Sequence, residues 1–301
     1  MTTIDVRDVY KNYGKTRALE GISLRVEEGE IFGLIGPDGA GKTTLFRILT
    51  TLLTPDKGSA TVLGYDVVKD FKAIRKLVGY MPGRFSLYQD LTVLENLQFF
   101  AQVFGSTIEE NYYLIKDIYQ QIEPFKHRRA GQLSGGMKQK LALSCALIHK
   151  PRILFLDEPT TGVDAVSRKE FWDMLHRLRK EGITILVSTP YMDEAGKCDR
   201  IALIQKGRLL AIDTPAGIVN AFEKPLWAVQ TDQMHLVLQA LRRHANVASV
   251  FPFGDVLHLT PKSDFTTGEL SNYLLNSGFP GVDISLIPAT IEDCFMELMA
   301  E

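Results

Sequence analysis

The chain has few cysteines, little net charge and no long hydrophobic run. Its three cysteines, Cys145, Cys198 and Cys294, are scattered over 301 residues, which matches neither a zinc site nor a disulfide framework. We therefore expect free thiols in a reducing cytosol. The formal net charge of −2 provides no basic field that would attract nucleic acid. The longest apolar run, Leu141 to Ile148, is too short to span a membrane, and no apolar signal segment follows Met1.

A glycine-rich loop lies between an apolar strand (31–35) and a segment with helical apolar spacing. The loop reads Gly36-Pro37-Asp38-Gly39-Ala40-Gly41-Lys42-Thr43-Thr44. Its glycines let successive backbone N–H groups point into one concavity, where they and the helix N-terminus can hold phosphate oxygens. In this pattern Lys42 reaches the β and γ phosphates, and the Thr43 hydroxyl binds Mg²⁺. The loop therefore predicts a site for a nucleoside triphosphate with Mg²⁺.

The order of strand and helix patterns indicates an α/β fold. Two continuous apolar strands, 153–156 and 183–187, are separated by an amphipathic helix, as in a mostly parallel sheet covered on both faces. We predict a first domain over residues 1–222, with a β-rich N-terminal part and a helical subdomain at about 84–150. Residues 223–301 predict a small α+β accessory domain.

Two carboxylates follow the strand 153–156. Ligands of parallel sheets bind at the carboxyl ends of the strands, so Asp157 is placed to meet the Mg²⁺ site and Glu158 to face an attacking water. The alternative is that these acids only cap the next helix.

A third motif, Leu133-Ser134-Gly135-Gly136-Met137, identifies a family. Ser134 is a favourable N-cap, and the glycines permit close approach of another backbone. Together with the glycine-rich loop and Asp157-Glu158, residues 4–220 closely resemble the nucleotide-binding domain of ATP-binding cassette (ABC) proteins. The resemblance implies a P-loop ATPase fold that binds ATP and Mg²⁺.

The resemblance also implies roles for particular residues. Ser134, Gly135 and Gly136 match the signature that contacts ATP held by the opposite subunit, so a second ABC ATPase subunit is expected, in a homodimer or a heterodimer. Tyr13 matches the aromatic that stacks on adenine, although a core or turn tyrosine is the alternative. Glu158 matches the catalytic glutamate, which acts as general base or positions water.

Two positions depart from the family pattern. Gly83 follows Tyr80-Met81-Pro82 where glutamine is usual, and Pro190 follows Ser188-Thr189 where the switch histidine is usual. Proline has neither a side-chain donor nor a backbone N–H. Our hypothesis is that the chain's own ATP is hydrolysed slowly, while its signature remains competent for a partner. A milder departure is Asp38, which replaces the more usual asparagine.

Two further segments favour a role in transport. Residues 288–295 resemble a C-terminal segment of ABC-2-type export ATPases, including drug-exporter subunits, and residues 85–96 match the surface that receives the membrane subunit. The resemblance implies an ATPase bound to transmembrane permease subunits at the cytoplasmic face of the inner or plasma membrane. The alternatives are a soluble ABC ATPase acting on ribosomes or DNA, and a nucleotide-gated assembly or regulatory factor without transport.

Overall fold

The computed structural model describes residues 1–262 and 264–300, which form two compact units, Met1–Pro215 and Ala216–Glu301. The units divide at Pro215, a few residues before the change of sequence pattern near Phe222. The reason lies in the helix that begins at Pro215: the carbonyl oxygen of its Ile218 accepts a hydrogen bond from the Cys294 thiol, within the second unit.

The first unit contains ten strands and six complete α-helices, together with three short 3-10 helices. The strands are β1 (Thr2–Tyr13), β2 (Thr16–Glu27), β3 (Ile31–Ile35), β4 (Lys57–Val62), β5 (Tyr65–Asp66), β6 (Val78–Met81), β7 (Ile153–Asp157), β8 (Thr184–Thr189), β9 (Arg200–Gln205) and β10 (Arg208–Asp213). The helices are α1 (Lys42–Leu49), α2 (Phe71–Leu77), α3 (Val93–Val103), α4 (Ile108–Tyr119), α5 (Gly135–Leu147) and α6 (Ala165–Lys180). Helix α7 (Pro215–Asn220) follows at the boundary.

A six-stranded sheet with the order β10-β9-β3-β8-β7-β6 lies at the centre of this unit. Its neighbours run parallel except for the β9–β10 hairpin, as the apolar strand pattern predicts. Strands β3, β7 and β8 are buried along their whole length. Because the three are parallel, their carboxyl ends meet at one edge of the sheet, which brings together the segments after Ile35, Asp157 and Thr189.

A second, four-stranded sheet with the order β2-β1-β4-β5 forms the β-rich N-terminal part. It shares one apolar core with the central sheet and α1, in which the rings of Phe46 and Phe155 meet edge to face with centroids 5.9 Å apart. The core thus connects α1, which follows the glycine-rich loop, to the strand that ends at Asp157.

The second unit is a β-α-β-β-α-β module. It contains β11 (Leu226–Gln230), α8 (Met234–Arg243), β12 (Val247–Phe253), β13 (Val256–Pro261), α9 (Thr267–Asn276), β14 (Asp283–Ile287) and α10 (Ile291–Ala300). The antiparallel order β12-β13-β11-β14 is the split β-α-β arrangement of ferredoxin-like folds. Apolar side chains of α8 and α9 cover one sheet face.

On the other face of this sheet, His258 of β13 contacts α10. Its Nδ1 lies 2.6 Å from Oδ1 of Asp293, and both side chains are buried. The second carboxylate oxygen of Asp293 accepts hydrogen bonds from the backbone N–H and hydroxyl of Thr290. The Asp293 carboxylate therefore links the start of α10 to the sheet.

No helix within residues 1–262 and 264–300 is both long enough and apolar enough to cross a membrane.

Candidate functional site

The glycine-rich loop connects β3 to α1 and is fixed by close backbone contacts. The backbone N–H of Gly36 donates to the carbonyl oxygen of Thr189 at 3.2 Å. A methyl carbon on Gly36 would lie 2.1 Å from the carbonyl oxygen of Ile204, so only glycine fits there. Gly41 has a φ of 109°, and a methyl carbon on it would lie 2.5 Å from the carbonyl oxygen of Ala18.

The side chain of Lys42 is nearly enclosed, with 3% of its surface exposed. Its Nζ donates to the carbonyl oxygens of Gly36 at 2.7 Å and Pro37 at 3.0 Å. The same Nζ lies 3.0 Å from Oε1 of Glu158. The loop therefore holds a buried cation beside the carboxylate that follows β7.

Thr43 and Asp157 meet at the start of α1. The Thr43 hydroxyl donates to Oδ1 of Asp157 at 3.1 Å, and the Asp157 side chain is buried. These oxygen donors fit Mg²⁺, which proteins bind through one or two carboxylates together with substrate phosphates. The two residues would hold Mg²⁺ beside phosphates in the loop.

Glu158 has an unusual backbone conformation. Its φ of 51° lies in the left-handed region. This conformation is energetically unfavourable for any residue that has a Cβ atom. Its backbone N–H points at Ser188, with the carbonyl oxygen 3.1 Å and the hydroxyl oxygen 3.0 Å away. This turn aims the Glu158 side chain at the loop, where it meets Lys42. No sequence motif assigns a role to the Ser188 hydroxyl; its only signal is a serine at the end of an apolar strand.

Two hairpins flank the loop. The Ala40 carbonyl oxygen accepts from Gly207 N–H at 2.9 Å, and the Gly207 carbonyl oxygen accepts from Glu20 N–H at 2.8 Å. Tyr13, at the end of β1, pairs with Thr16 of β2, and its side chain is 47% exposed. The ring is thus available for stacking.

The signature residues form the exposed start of α5. Ser134 is the N-cap, and its hydroxyl accepts from the Met137 N–H at 3.4 Å. A methyl carbon placed on Gly135 or Gly136 would have open space around it. Apart from the adjacent residues and the backbone of the same helix, no atom in the described part of the chain lies within 4 Å of it. This surface leaves room for another molecule's backbone or phosphate.

The two departures from the family pattern follow strands β6 and β8, at the sheet edge where β7 ends at Asp157 and Glu158 follows it. A methyl carbon on Gly83 would lie 3.0 Å from the carbonyl oxygen of Asp157, so the glycine faces the end of β7. Burial and the nearby charge of Asp157 raise the pKa of Tyr80, three residues earlier, to about 12. Pro190 follows β8 directly. The structure therefore places both positions at the predicted site.

This combination of a parallel sheet, a glycine-rich loop with a buried lysine, and acids at the next strand end defines a P-loop nucleotide-binding protein. The ABC transporter family model matches residues 19–161. The chain is 39% identical to the probable multidrug ABC transporter ATP-binding protein YbhF of Escherichia coli (strain K12), over 94% of this chain and 49% of that protein. The chain thus spans about half the length of that relative.

Two other comparisons cover nearly the full length of the protein compared. The Nod factor export ATP-binding protein I of Burkholderia orbicola (strain AU 1054) is 35% identical over 98% of this chain and 96% of that protein. A solved ATP-binding cassette, dimeric and bound to ADP and phosphate, superposes with a TM-score of 0.64 and 26% identity, over 70% of this chain and 98% of that one. The chain belongs to the ABC transporter family.

Proposed function

We propose that the chain is the ATP-binding subunit of an ABC-2-type exporter and that it binds MgATP between two cassettes. The observation that carries the proposal is the meeting of Lys42, Thr43, Asp157 and Glu158 at one edge of the sheet. The similarity to export ATP-binding proteins supports the assignment to transport.

Each residue has a role in this proposal. Lys42 and the loop N–H groups hold the β and γ phosphates, while Thr43 and Asp157 hold Mg²⁺, which neutralises phosphate charge as it develops. Because a γ phosphate and the Glu158 carboxylate both attract Lys42, ATP binding releases Glu158 from the lysine. Glu158 is then free to orient the attacking water and accept its proton. Tyr13 stacks on adenine.

The partner in this proposal is a second ABC ATPase subunit, arranged head to tail. Ser134, Gly135 and Gly136 then contact the ATP held by the partner. The open space at the two glycines and the dimeric form of a similar cassette support this arrangement.

An apolar groove supports docking of a membrane permease. It has a volume of about 400 Å³ and is lined by Leu87, Phe100, Val103 and Ala142, among others. Val103 is 60% exposed and Leu52, also in the lining, is 57% exposed. An exposed apolar groove of this kind suits the apolar face of a helix from another subunit. The proposal places the chain at the cytoplasmic face of the membrane.

Turnover at the chain's own site is slow in this proposal, because Gly83 and Pro190 supply no side-chain hydrogen bond. We expect Pro190→His to raise the steady-state ATPase rate about a hundredfold, the low end for a positioned proton-transferring group. Pro190→Ala is the control, since it removes the ring without adding imidazole. Gly83→Gln is a second test, although its Cβ requires the Asp157 carbonyl to shift.

Fast turnover by the unmodified chain that Pro190→His leaves unchanged would rule out the slow site. Failure of the unmodified chain to bind ATP would rule out the proposed function as a whole.

A further inference from the structure

Ser188 lies between the two carboxylate residues of the proposed site. It is the next-to-last residue of β8, is fully buried, and pairs directly with Asp157 of β7. Its hydroxyl donates to Oδ1 of Asp157 at 2.7 Å and accepts from the backbone N–H of Glu158 at 3.0 Å. The one hydroxyl therefore contacts both carboxylate residues.

The contact with Asp157 determines which carboxylate oxygen is free. Oδ1 accepts from Ser188 and also from the Thr43 hydroxyl at 3.1 Å. Two donors on one oxygen fix the rotation of the carboxylate about its last bond. The other oxygen, Oδ2, is then left to face a cation, because carboxylate groups that bind metals are oriented by such hydrogen bonds.

The contact with Glu158 supports a strained backbone. A φ of 51° is unfavourable for glutamate, and the conformation persists only where its surroundings hold it. The Glu158 N–H is shared between the hydroxyl and the carbonyl oxygen of the same serine. Ser188 thus helps to keep the Glu158 side chain directed at Lys42.

We propose that Ser188 is a positioning residue for the Mg²⁺ and water side of the site. It orients Asp157 toward Mg²⁺ and holds Glu158 in its turn, where Gly83 and Pro190 provide no polar side chain. The proposal rests on the proposed MgATP site, and it assigns a task to a serine whose hydroxyl contacts Asp157 and Glu158.

The test is a Mg²⁺ titration of binding of a fluorescent ATP analogue to the purified full-length chain. Removing a hydrogen bond behind a metal ligand costs about tenfold or more in metal affinity. We therefore expect Ser188→Ala to raise the half-saturating Mg²⁺ concentration about tenfold. Binding of the analogue in EDTA stays as in wild type, because Lys42 and the loop hold the phosphates.

Thr184→Val is the matched control. Thr184 begins the same strand, is equally buried, and accepts a hydrogen bond from the Gly29 N–H at 2.9 Å. The substitution removes a buried hydroxyl from β8 but leaves the hydrogen bonds of Asp157 and Glu158 unchanged. We expect a wild-type Mg²⁺ requirement from this variant, whatever its melting temperature.

Equal Mg²⁺ requirements for wild type and Ser188→Ala would overturn the inference, as would equal shifts in Ser188→Ala and Thr184→Val. Should Ser188→Ala fail to fold, Ser188→Cys decides, because a thiol of similar shape is a weaker donor and must raise the requirement. Wild-type protein that binds the analogue without any Mg²⁺ dependence would instead overturn the proposed MgATP site itself.

Discussion

The Nζ of Lys42 lies 3.0 Å from Oε1 of Glu158, so the candidate phosphate-binding lysine and the candidate general base form an ion pair within one chain. Lys42 is buried, and Glu158 is its charged partner. Glu158→Gln should therefore lower the free energy of unfolding by about 1.5 kcal/mol. ATP should stabilise this variant more than wild type, because phosphate no longer competes with the carboxylate. Denaturant unfolding with and without ATP measures both effects.

Glu170→Gln is the control for this change. The Glu170 carboxylate lies 3.7 Å from Lys140, but it is 53% exposed. Exposed pairs of this kind contribute little to stability. A loss of stability in Glu170→Gln as large as in Glu158→Gln would contradict the prediction.

The contact of Gly36 with Ile204 predicts that the loop does not tolerate a side chain there. In Gly36→Ala the new methyl carbon would lie 2.1 Å from a backbone oxygen, so the loop must shift. We expect a loss of about 1–3 kcal/mol of stability together with loss of ATP binding. Gly196→Ala, where a methyl group has room and the residue has no role in the proposed site, should fold and bind nucleotide normally. Urea unfolding and nucleotide binding compare the two variants.

The head-to-tail arrangement predicts complementation between two defective chains. Lys42→Ala removes the phosphate contact, while Ser134→Asp keeps a good N-cap and places a carboxylate where the partner's phosphate would lie. Neither variant alone should dimerise in MgATP, but their mixture retains one intact composite site. Light scattering on the separate and mixed chains measures this. Dimer formation by Ser134→Asp alone would contradict the prediction. If the wild-type chain stays monomeric in MgATP, its partner is a different cassette.

Much of the fold follows from local patterns. Strands β3, β7 and β8 are continuous apolar runs, and α1 and α6 have helical apolar spacing, so their order along the chain already indicates a parallel sheet. The ends of elements are harder to predict. Strand β1 runs over Thr2–Tyr13, beyond its apolar positions, because pairing with β2 continues through exposed polar residues.

The contacts within the site follow less directly from the sequence. Motifs identify Lys42, Asp157 and Glu158, but the hydrogen bond from Ser188 to Asp157 joins residues 31 positions apart. It exists because β7 and β8 pair in one register, which is set by packing over the whole sheet. The pairing of His258 with Asp293 is of the same kind, since no local pattern connects β13 with α10.

Two capping boxes in the second unit offer a matched test of this buried pair. Thr266 with Glu269 and Thr290 with Asp293 share the same local hydrogen bonds, but only Asp293 also contacts His258. Asp293→Ala should cost about 2–3 kcal/mol, because it leaves a buried polar partner unpaired. Glu269→Ala, which is exposed, should cost much less. Calorimetric melting of the two variants checks the difference, and equal losses would contradict it.

The three cysteines predict a thiol reactivity that depends on folding and pH. All three are buried; burial raises the pKa of Cys145 and Cys198, and burial with the charge of Asp293 raises the pKa of Cys294 to about 11. The native chain should therefore react slowly with a thiol reagent at pH 8, whereas the denatured chain should release three thiols. The unfolded chain loses thiol protons at a lower pH than the folded chain. Stability should therefore decline as the pH rises above about 9, which unfolding at several pH values measures. Three fast-reacting native thiols at pH 8 would refute the prediction.

The two-residue turn between β9 and β10 sets a limit on engineering the chain. Lys206 and Gly207 both have positive φ, as a tight hairpin turn of this type requires, and Gly207 bonds to the phosphate loop through Ala40. Hairpin tips are ordinarily good places for epitope tags, fluorescent reporters or circular permutation. This tip is an exception, since one added residue would displace the glycine-rich loop of the proposed nucleotide site. Tolerance to changes in length at Lys206-Gly207 should consequently be among the lowest of the turns of this unit.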